Sequence, residues 1–415
     1  MVQAERSEAV PAGTLPQRRL ARSAPAYRWV VLAAGVFAQG AAASVLQGLP
    51  SLATTLRAER DLSLAALGLV LAASTVGLLL ALVPWGWLAD RVGERWVMTW
   101  GLLLTAAALV GASRAGSVAV LMVSLLLAGA ACASVNAASG RAVIMWFPRR
   151  QRGIAMGTRQ TAIPLGAALA ALGLPVAARA WGLPGAFLSA AVVLVVAAVV
   201  VCVFVTDPRS PPDGDEETAG EPAQPAGSSR AVVLLCGVSA LLVIPQLTIV
   251  SFLVIYLVDG HGISAATAVV LLAVVQLGGG AARIGLGWWS DRTGSRVGPL
   301  RAVALVTTGL LLAAAAGELV GGVVAVAALV LAGFAAISWN GLAFTAVGEL
   351  ADPRRIGFVL GVQNTAVAAG MALTPPVMGT VVELSSWAVA FAAVAAAAAL
   401  ASVVLSRLSR VSAVR

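Results

Sequence analysis

The stretch GWLADRVGER occupies Gly86–Arg95, and a close copy, GWWSDRTGSR, occupies Gly287–Arg296. Asp90 and Asp291 are thereby 201 residues apart. Each copy closes a long apolar run, so a charged turn is written twice at matching places. A second register supports the same duplication. Residues 128–166 align without gaps on 332–370 at an offset of 204, which pairs Ser134 with Ser338, Asn136 with Asn340 and Arg150 with Arg354. It also pairs Gly153 with Gly357, Gly157 with Gly361, Thr161 with Thr365 and Gly166 with Gly370. The chain is two copies of one unit in the same orientation, an arrangement suited to two halves that rock about a central site.

Around these turns the chain is apolar. Of 415 residues, 60% are hydrophobic and 11% charged, and the mean hydropathy is +0.95. A soluble domain carries about 25% charged residues. One large soluble core is excluded by pattern, because apolar runs of about 20 residues, enough to cross a bilayer core, recur along the whole chain. The expected fold is therefore an all-α membrane protein of twelve spans. They lie near 29–50, 64–87, 96–113, 117–145, 153–177 and 184–205, then 231–257, 264–288, 299–316, 320–346, 356–381 and 386–406. Residues 1–28 read as a disordered cytoplasmic tail, 29–205 and 231–406 as two six-helix bundles, and 407–415 as a second cytoplasmic tail. Between the bundles, 206–230 is rich in Pro, Gly, Asp and Glu and reads as a flexible linker.

Arginine placement orients the chain. All 27 basic residues are arginine, and the formal net charge is +9. With the N-terminus in the cytoplasm, 20 arginines fall on the cytoplasmic side and four outside, at Arg57, Arg60, Arg114 and Arg179. The positive charge thus marks a membrane face, and nucleic acid is not an expected partner. Abundant alanine and the absence of lysine suggest a GC-rich bacterial genome, hence a bacterial inner membrane, with both termini cytoplasmic. Cys132, Cys202 and Cys236 fall in apolar runs and read as three buried free thiols. His261 is the single histidine, which excludes a histidine relay or a histidine metal cluster. No metal and no cofactor are expected.

Both charged turns land on the cytoplasmic face. Gly86 and Gly93 permit close helix approach and a tight turn. Asp90 can accept hydrogen bonds from a neighbouring helix N-terminus and pair with Arg91 or Arg95. Gly287, Asp291, Arg292, Gly294 and Arg296 are the equivalents in the second copy. Such a cluster is a latch that holds one arrangement of the halves and breaks in the other; the plain alternative is a positively charged loop. Arg141, near the inner end of span 4, is read as a partner of Asp90 or, less simply, as a ligand group.

The motif G-x-L-A-D-R-x-G-x-R, carried by Gly86, Leu88, Ala89, Asp90, Arg91, Gly93 and Arg95, resembles the signature of the major facilitator superfamily, which repeats it more weakly in the second half. The resemblance covers the whole chain and implies a secondary transporter working by alternating access. The chain is similar overall to cyanate-permease-like proteins, and the pattern R-x-x-x-G-x-x-x-D at Arg283, Gly287 and Asp291 resembles monocarboxylate transporters, oxalate/formate antiporters and nitrate/nitrite porters. Those branches imply an anion-binding arginine in span 8. Nitrate porters pair that arginine with another in span 2, where this chain has Leu82.

Polar groups inside spans point to the substrate path. Arg283 lies eight residues before Asp291, about 12 Å of helix rise. Gln276, Gly280, Arg283 and Gly287 share one narrow polar face, as a cavity wall would. No acid lies in that span, so an anionic substrate is the natural counter-charge; the alternative is a structural arginine bonding carbonyls between helices. Arg159 is either a second ligand or a side chain reaching back to the cytoplasm. Gln160 and its repeat mate Asn364 are candidates to line the path. Asn136 and Asn340 either bind substrate or bridge helices, and Gln39 and Gln246 are weaker candidates.

No carboxylate sits at mid-depth, where proton-coupled drug exporters commonly need one. The expected partners are a small, anionic substrate, the lipid bilayer and either a coupled ion or a counter-substrate, and the expected state is a monomer. A small organic anion, such as a carboxylate, is the preferred cargo. The rivals are export of a hydrophobic or drug-like compound, and a transport-dead membrane sensor of the same fold. With no metal cluster and no nucleophile–base pair, an enzyme is not expected.

Overall fold

The computed structural model describes residues 26–206, 229–320 and 322–408. Most of the expected N-terminal tail, the linker and the last residues lie outside them. The described residues form helices and no strand. The first half comprises α1 (Tyr27–Gly48), α2 (Leu64–Val92), α3 (Glu94–Ser113) and α4 (Val118–Trp146). A continuous stretch, Arg149–Phe204, follows. At 56 residues it would be about 84 Å long as one straight rod, far more than a bilayer core. It breaks at Trp181 and Gly182, where Gly182 has φ +69°, and makes two spans, α5 (149–180) and α6 (183–204). The second half comprises α7 (Ser229–Ile255, extended by a π turn over Tyr256–Gly260), α8 (Ala265–Thr293) and α9 (Val297–Val320). Then come α10 (Gly322–Ser338, continued by Asn340–Leu350), α11 (Ile356–Leu384) and α12 (Trp387–Leu408).

These segments are helical because runs of Leu, Ala and Val satisfy every backbone group internally, which a bilayer demands. Most are apolar all round, so periodicity does not mark one buried face. Serine caps begin several of them: Ser63, Ser117, Ser264 and Ser386 accept from the amides of Ala66, Val120, Thr267 and Val389. Ser63 and Ser264 stand at the same repeat offset as Asp90 and Asp291. Thus α2 and α8 match from cap to charged turn. Among the described residues eleven helices are long and apolar enough to cross a membrane, the kinked one counted once. The protein is a multi-pass membrane protein. Cys132 and Cys236 are buried free thiols, whereas Cys202 is half-buried.

The two halves meet along α2 with α11, α4 with α11, α5 with α8 and α5 with α10. The glycine-mediated backbone contacts between them all lie toward the face that carries the charged turns, called here the turn face. The apolar packing agrees. One cluster joins Val143, Phe147 and Met156 of the first half to Leu235, Val347 and Leu360 of the second, all toward the turn face. Two other clusters each stay within one half. The protein is therefore closed on the turn face.

Candidate functional site

Close approach of the halves needs missing side chains. A Cβ on Gly86 would lie 2.2 Å from the carbonyl oxygen of Gly357, and one on Gly287 would lie 2.3 Å from that of Gly153. With α2 pressed on α11 and α8 on α5 in this way, the charged turns reach the opposite half. Asp90 Oδ1 and Oδ2 accept from the amides of Gly357 and Phe358, each at 2.8 Å. Asp291 Oδ1 and Oδ2 accept from the amides of Gly153 and Ile154 at 3.0 and 2.9 Å. Asp90 thus sits on the positive first turn of α11, and Asp291 beside α5 one turn in from its start, each on a helix of the other half.

Around each aspartate stands an acid–base–acid chain. Arg141 Nε donates to Asp90 at 3.0 Å, and its Nη1 donates to Glu94. Arg296 donates to Asp291 Oδ1, and reaches Glu349 at 2.8 and 3.1 Å. Burial lowers the Arg296 pKa, but hydrogen bonds and charge from Glu349 and Asp291 outweigh it, and the net shift is upward. The expectation that Asp90 pairs with Arg91 or Arg95 is corrected. Arg91 lies over the Trp87 ring at 3.8 Å, and Arg95 over Trp96 at 5.0 Å. The reason is direction: Arg91 follows Asp90 directly and so points off another face of α2. Arg292, its counterpart, likewise stacks on Trp288, at 4.1 Å. Gly93 and Gly294 take the positive φ of the two turns, +91° and +67°. Glu94, which sequence reasoning did not single out, lies inside the repeated stretch itself.

Deeper in, polar side chains gather as two related networks. Arg159 of α5 is 2% exposed. Its Nε donates to Ser139 Oγ at 2.8 Å, and its Nη2 to Gln39 Oε1 at 3.2 Å and the Asn136 carbonyl at 2.9 Å. Gln39 Nε2 in turn donates to Asn136 Oδ1 at 2.9 Å. Arg159 therefore turns into the first half, tying α1, α4 and α5 together, and does not reach back to the surface. The second half repeats part of this: Asn340 Nδ2 donates to Gln246 Oε1 at 2.9 Å. At the position related to Arg159 stands Gln363, fully buried, whose Nε2 donates to Ser239. Sequence reasoning missed Ser139 and Gln363. Ser139 is three residues after Asn136, on the same helix face, and Gln363 is Arg159 plus the 204-residue offset.

Arg283 of α8 is 6% exposed. Its Nε donates to the Ile337 carbonyl at 2.7 Å, and its Nη1 crosses the halves to the Gln160 carbonyl at 2.8 Å. Its Nη2 makes no hydrogen bond among the described residues. The expectation that Gln276, Gly280, Arg283 and Gly287 form a cavity wall is corrected here. Gly280 faces Thr161, the Arg283 backbone abuts Gly157, and Gly287 meets Gly153. Small residues every three or four positions let α8 pack on α5, so that face is an interface between the halves. Gln276, one turn farther out, is half-exposed. Gln160 is 4% exposed and its Oε1 has no hydrogen-bond partner. Asn364 bonds to the Leu360 carbonyl of its own helix and joins neither network. Leu82, the repeat mate of Arg283, is 1% exposed.

Two guanidiniums therefore converge on one turn of α5, one from that turn and one onto its carbonyl. Neither pairs with a carboxylate among the described residues. No group of three or more His, Cys, Asp or Glu able to hold a metal occurs among the described residues.

The comparisons agree with this architecture. The Major Facilitator Superfamily profile matches residues 31–375. The uncharacterized MFS-type transporter Rv2994 of Mycobacterium tuberculosis is 36% identical over 365 residues, 88% of this chain and 82% of that protein. Among solved structures, the fucose:proton symporter FucP of E. coli superposes with a TM-score of 0.71 at 19% identity, over 91% of this chain and 98% of that one. The human organic anion transporter MFSD10 gives 0.69 at 18% identity, over 94% and 100%. These two likenesses speak to the fold alone. Doubled six-helix units, clasped at matching charged turns, with a profile match over most of the chain, make this protein a transporter and not an enzyme: it belongs to the major facilitator superfamily.

Proposed function

We propose that this chain moves a small organic anion, of the carboxylate class, across a bacterial inner membrane by alternating access. One observation carries the reading. Arg159 and Arg283 hold two positive charges in the membrane interior, and their partners among the described residues are all neutral. A buried charge without a counter-charge is costly, and carbonyl or amide oxygens offset only part of that cost. An anion arriving near α5 completes the neutralisation, and Arg283 Nη2 is a donor that no group among the described residues uses. Gln276, Gln160, Asn136, Asn340, Asn364, Gln39 and Gln246 would supply neutral contacts along the way as the halves move.

The turn face is the cytoplasmic face in this reading, with both termini on it, and the protein works as a monomer. The closed arrangement is then outward-facing. The latch comprises Asp90, Arg141 and Glu94 in one half and Asp291, Arg296 and Glu349 in the other. Opening the turn face requires each aspartate to surrender two amides of the opposite half. Arg283 would release the Gln160 carbonyl in the same motion, which frees a second nitrogen for substrate in the inward-facing state.

The test is uptake of labelled carboxylates, one at a time, into proteoliposomes holding the wild type, Arg159→Gln or Arg283→Gln. The expected result is saturable uptake by the wild type, and at least a ten-fold loss in each variant with the fold intact by circular dichroism. Full uptake by a folded Arg283→Gln would remove that residue from the site. Efflux of a lipophilic dye, insensitive to every carboxylate, would favour the exporter reading. Binding without flux would favour a sensor.

A further inference from the structure

We propose that a groove on the turn face binds the phosphate-bearing headgroup of an anionic phospholipid, and that the lipid straps the two halves together. The groove has a volume of about 790 Å³. Trp29 of α1 and Arg150, Gln151 and Ile154 of α5 form one wall; Trp288 and Arg292 of α8 form the other. Its sides thus come from both halves.

Three features select the occupant. First, Arg150 and Arg292 are exposed, and neither has an acidic partner among the described residues. The one carboxylate in the lining, Asp291, is already engaged by two amides and Arg296. The groove therefore presents unspent positive charge, and Arg292 is braced flat on the Trp288 ring. Second, Trp29 and Trp288 are exposed indoles at the ends of membrane helices, where such rings sit at headgroup level. Together with Ile154 they offer an apolar flank to the first segments of acyl chain, which a free anion would not use. Third, Gln151 Oε1 is buried without a hydrogen-bond partner. It is an acceptor shut off from solvent in the closed state, and rotation of the side chain into the groove would let a glycerol hydroxyl of phosphatidylglycerol donate to it. Basic pockets between membrane helices on the cytoplasmic side are suited to such headgroups. Because the walls separate when the turn face opens, the bound lipid favours the closed state.

The experiment measures lipid retention by the purified full-length protein in detergent, by native mass spectrometry, with three probes: phosphatidylglycerol, phosphatidylcholine and inorganic phosphate. Phosphatidylglycerol should be retained at one site, phosphatidylcholine should not, and millimolar phosphate should not displace the lipid. Arg150→Gln and Arg292→Gln should each weaken retention roughly five-fold, and the pair roughly twenty-five-fold, the scale expected for an arginine at an anionic surface. Arg301→Gln removes one exposed charge at the start of α9, outside the groove, and should stay within about two-fold of the wild type. Equal retention of phosphatidylcholine, displacement by phosphate, or unchanged retention in the paired variant would overturn the proposal. So would an equal loss in Arg301→Gln, which would signify general surface attraction. Should the paired variant fold poorly, the two single variants decide.

Discussion

Asp90 at the end of α2 holds an amide near the start of α11, its Oδ1 2.8 Å from the nitrogen of Gly357, 267 residues along the chain. Asp291 does the same to Gly153 of α5, in the opposite direction. Each half thus caps a helix of the other, and a charge-assisted bond to a helix end is stronger than a neutral one.

Replacing Asp90 with Asn keeps one acceptor oxygen and loses the charge. With an NH2 in place of Oδ2 the amide of Phe358 would lose its partner, while Oδ1 would still accept from Gly357 and Arg141, now without the charge. Hydrogen bonds to charged groups contribute about 1.5–3 kcal/mol, so the closed state should lose roughly ten-fold or more in population. Turnover should fall in step, while substrate affinity stays within about two-fold. An unchanged turnover in proteoliposomes would remove the latch role.

Gly86→Ala and Gly287→Ala should prevent closure of the turn face. Each new Cβ would meet a backbone oxygen of the opposite half at 2.2–2.3 Å, and backbone cannot swing aside as a side chain can. Spin labels on the turn-face ends of α2 and α11 should report a longer separation by pulsed electron resonance. Gly285→Ala is the control, since a Cβ there meets nothing within 4 Å; it should leave the separation unaltered.

Arg141→Gln should be more damaging than a surface change. Glu94 is 1% exposed and is held by Arg141. Taking one partner from a buried carboxylate costs up to about 3–5 kcal/mol. A double variant with Glu94→Gln should recover much of that loss, because both charges are then gone. A thermal-denaturation cycle over the four proteins tests this, and strictly additive effects would contradict the coupling.

Arg159→Lys retains the charge but not the planar fork. One ammonium cannot replace a guanidinium that bonds Ser139 through Nε while Nη2 spans Gln39 and Asn136. The expected outcome is a loss of carboxylate affinity of about ten-fold or more, with a lowered denaturation midpoint. Wild-type affinity in isothermal titration would show that charge alone suffices there, or that the site lies elsewhere.

The sequence alone determined the membrane class, the twelve spans, the duplication and the position of both charged turns. Those features are one-dimensional: hydropathy is read within one helix, and the repeat is a fixed offset along the chain. Tertiary structure decided who pairs with whom. The sequence offered Asp90 three arginines, and of these Arg141 of α4, already read as a partner, is the one that bonds it, whereas the adjacent Arg91 points off another face of the helix. The glycine-bearing face around Arg283 looked like a cavity wall and proved to be packed against α5, since small residues serve equally for an open path and for close helix approach. Gln39, Asn136 and Arg159 could be named one by one, but that Ser139 completes their network depended on three helices meeting at one depth. A buried guanidinium satisfies itself with whichever oxygens the packing brings near, and that packing is a property of the assembled bundle.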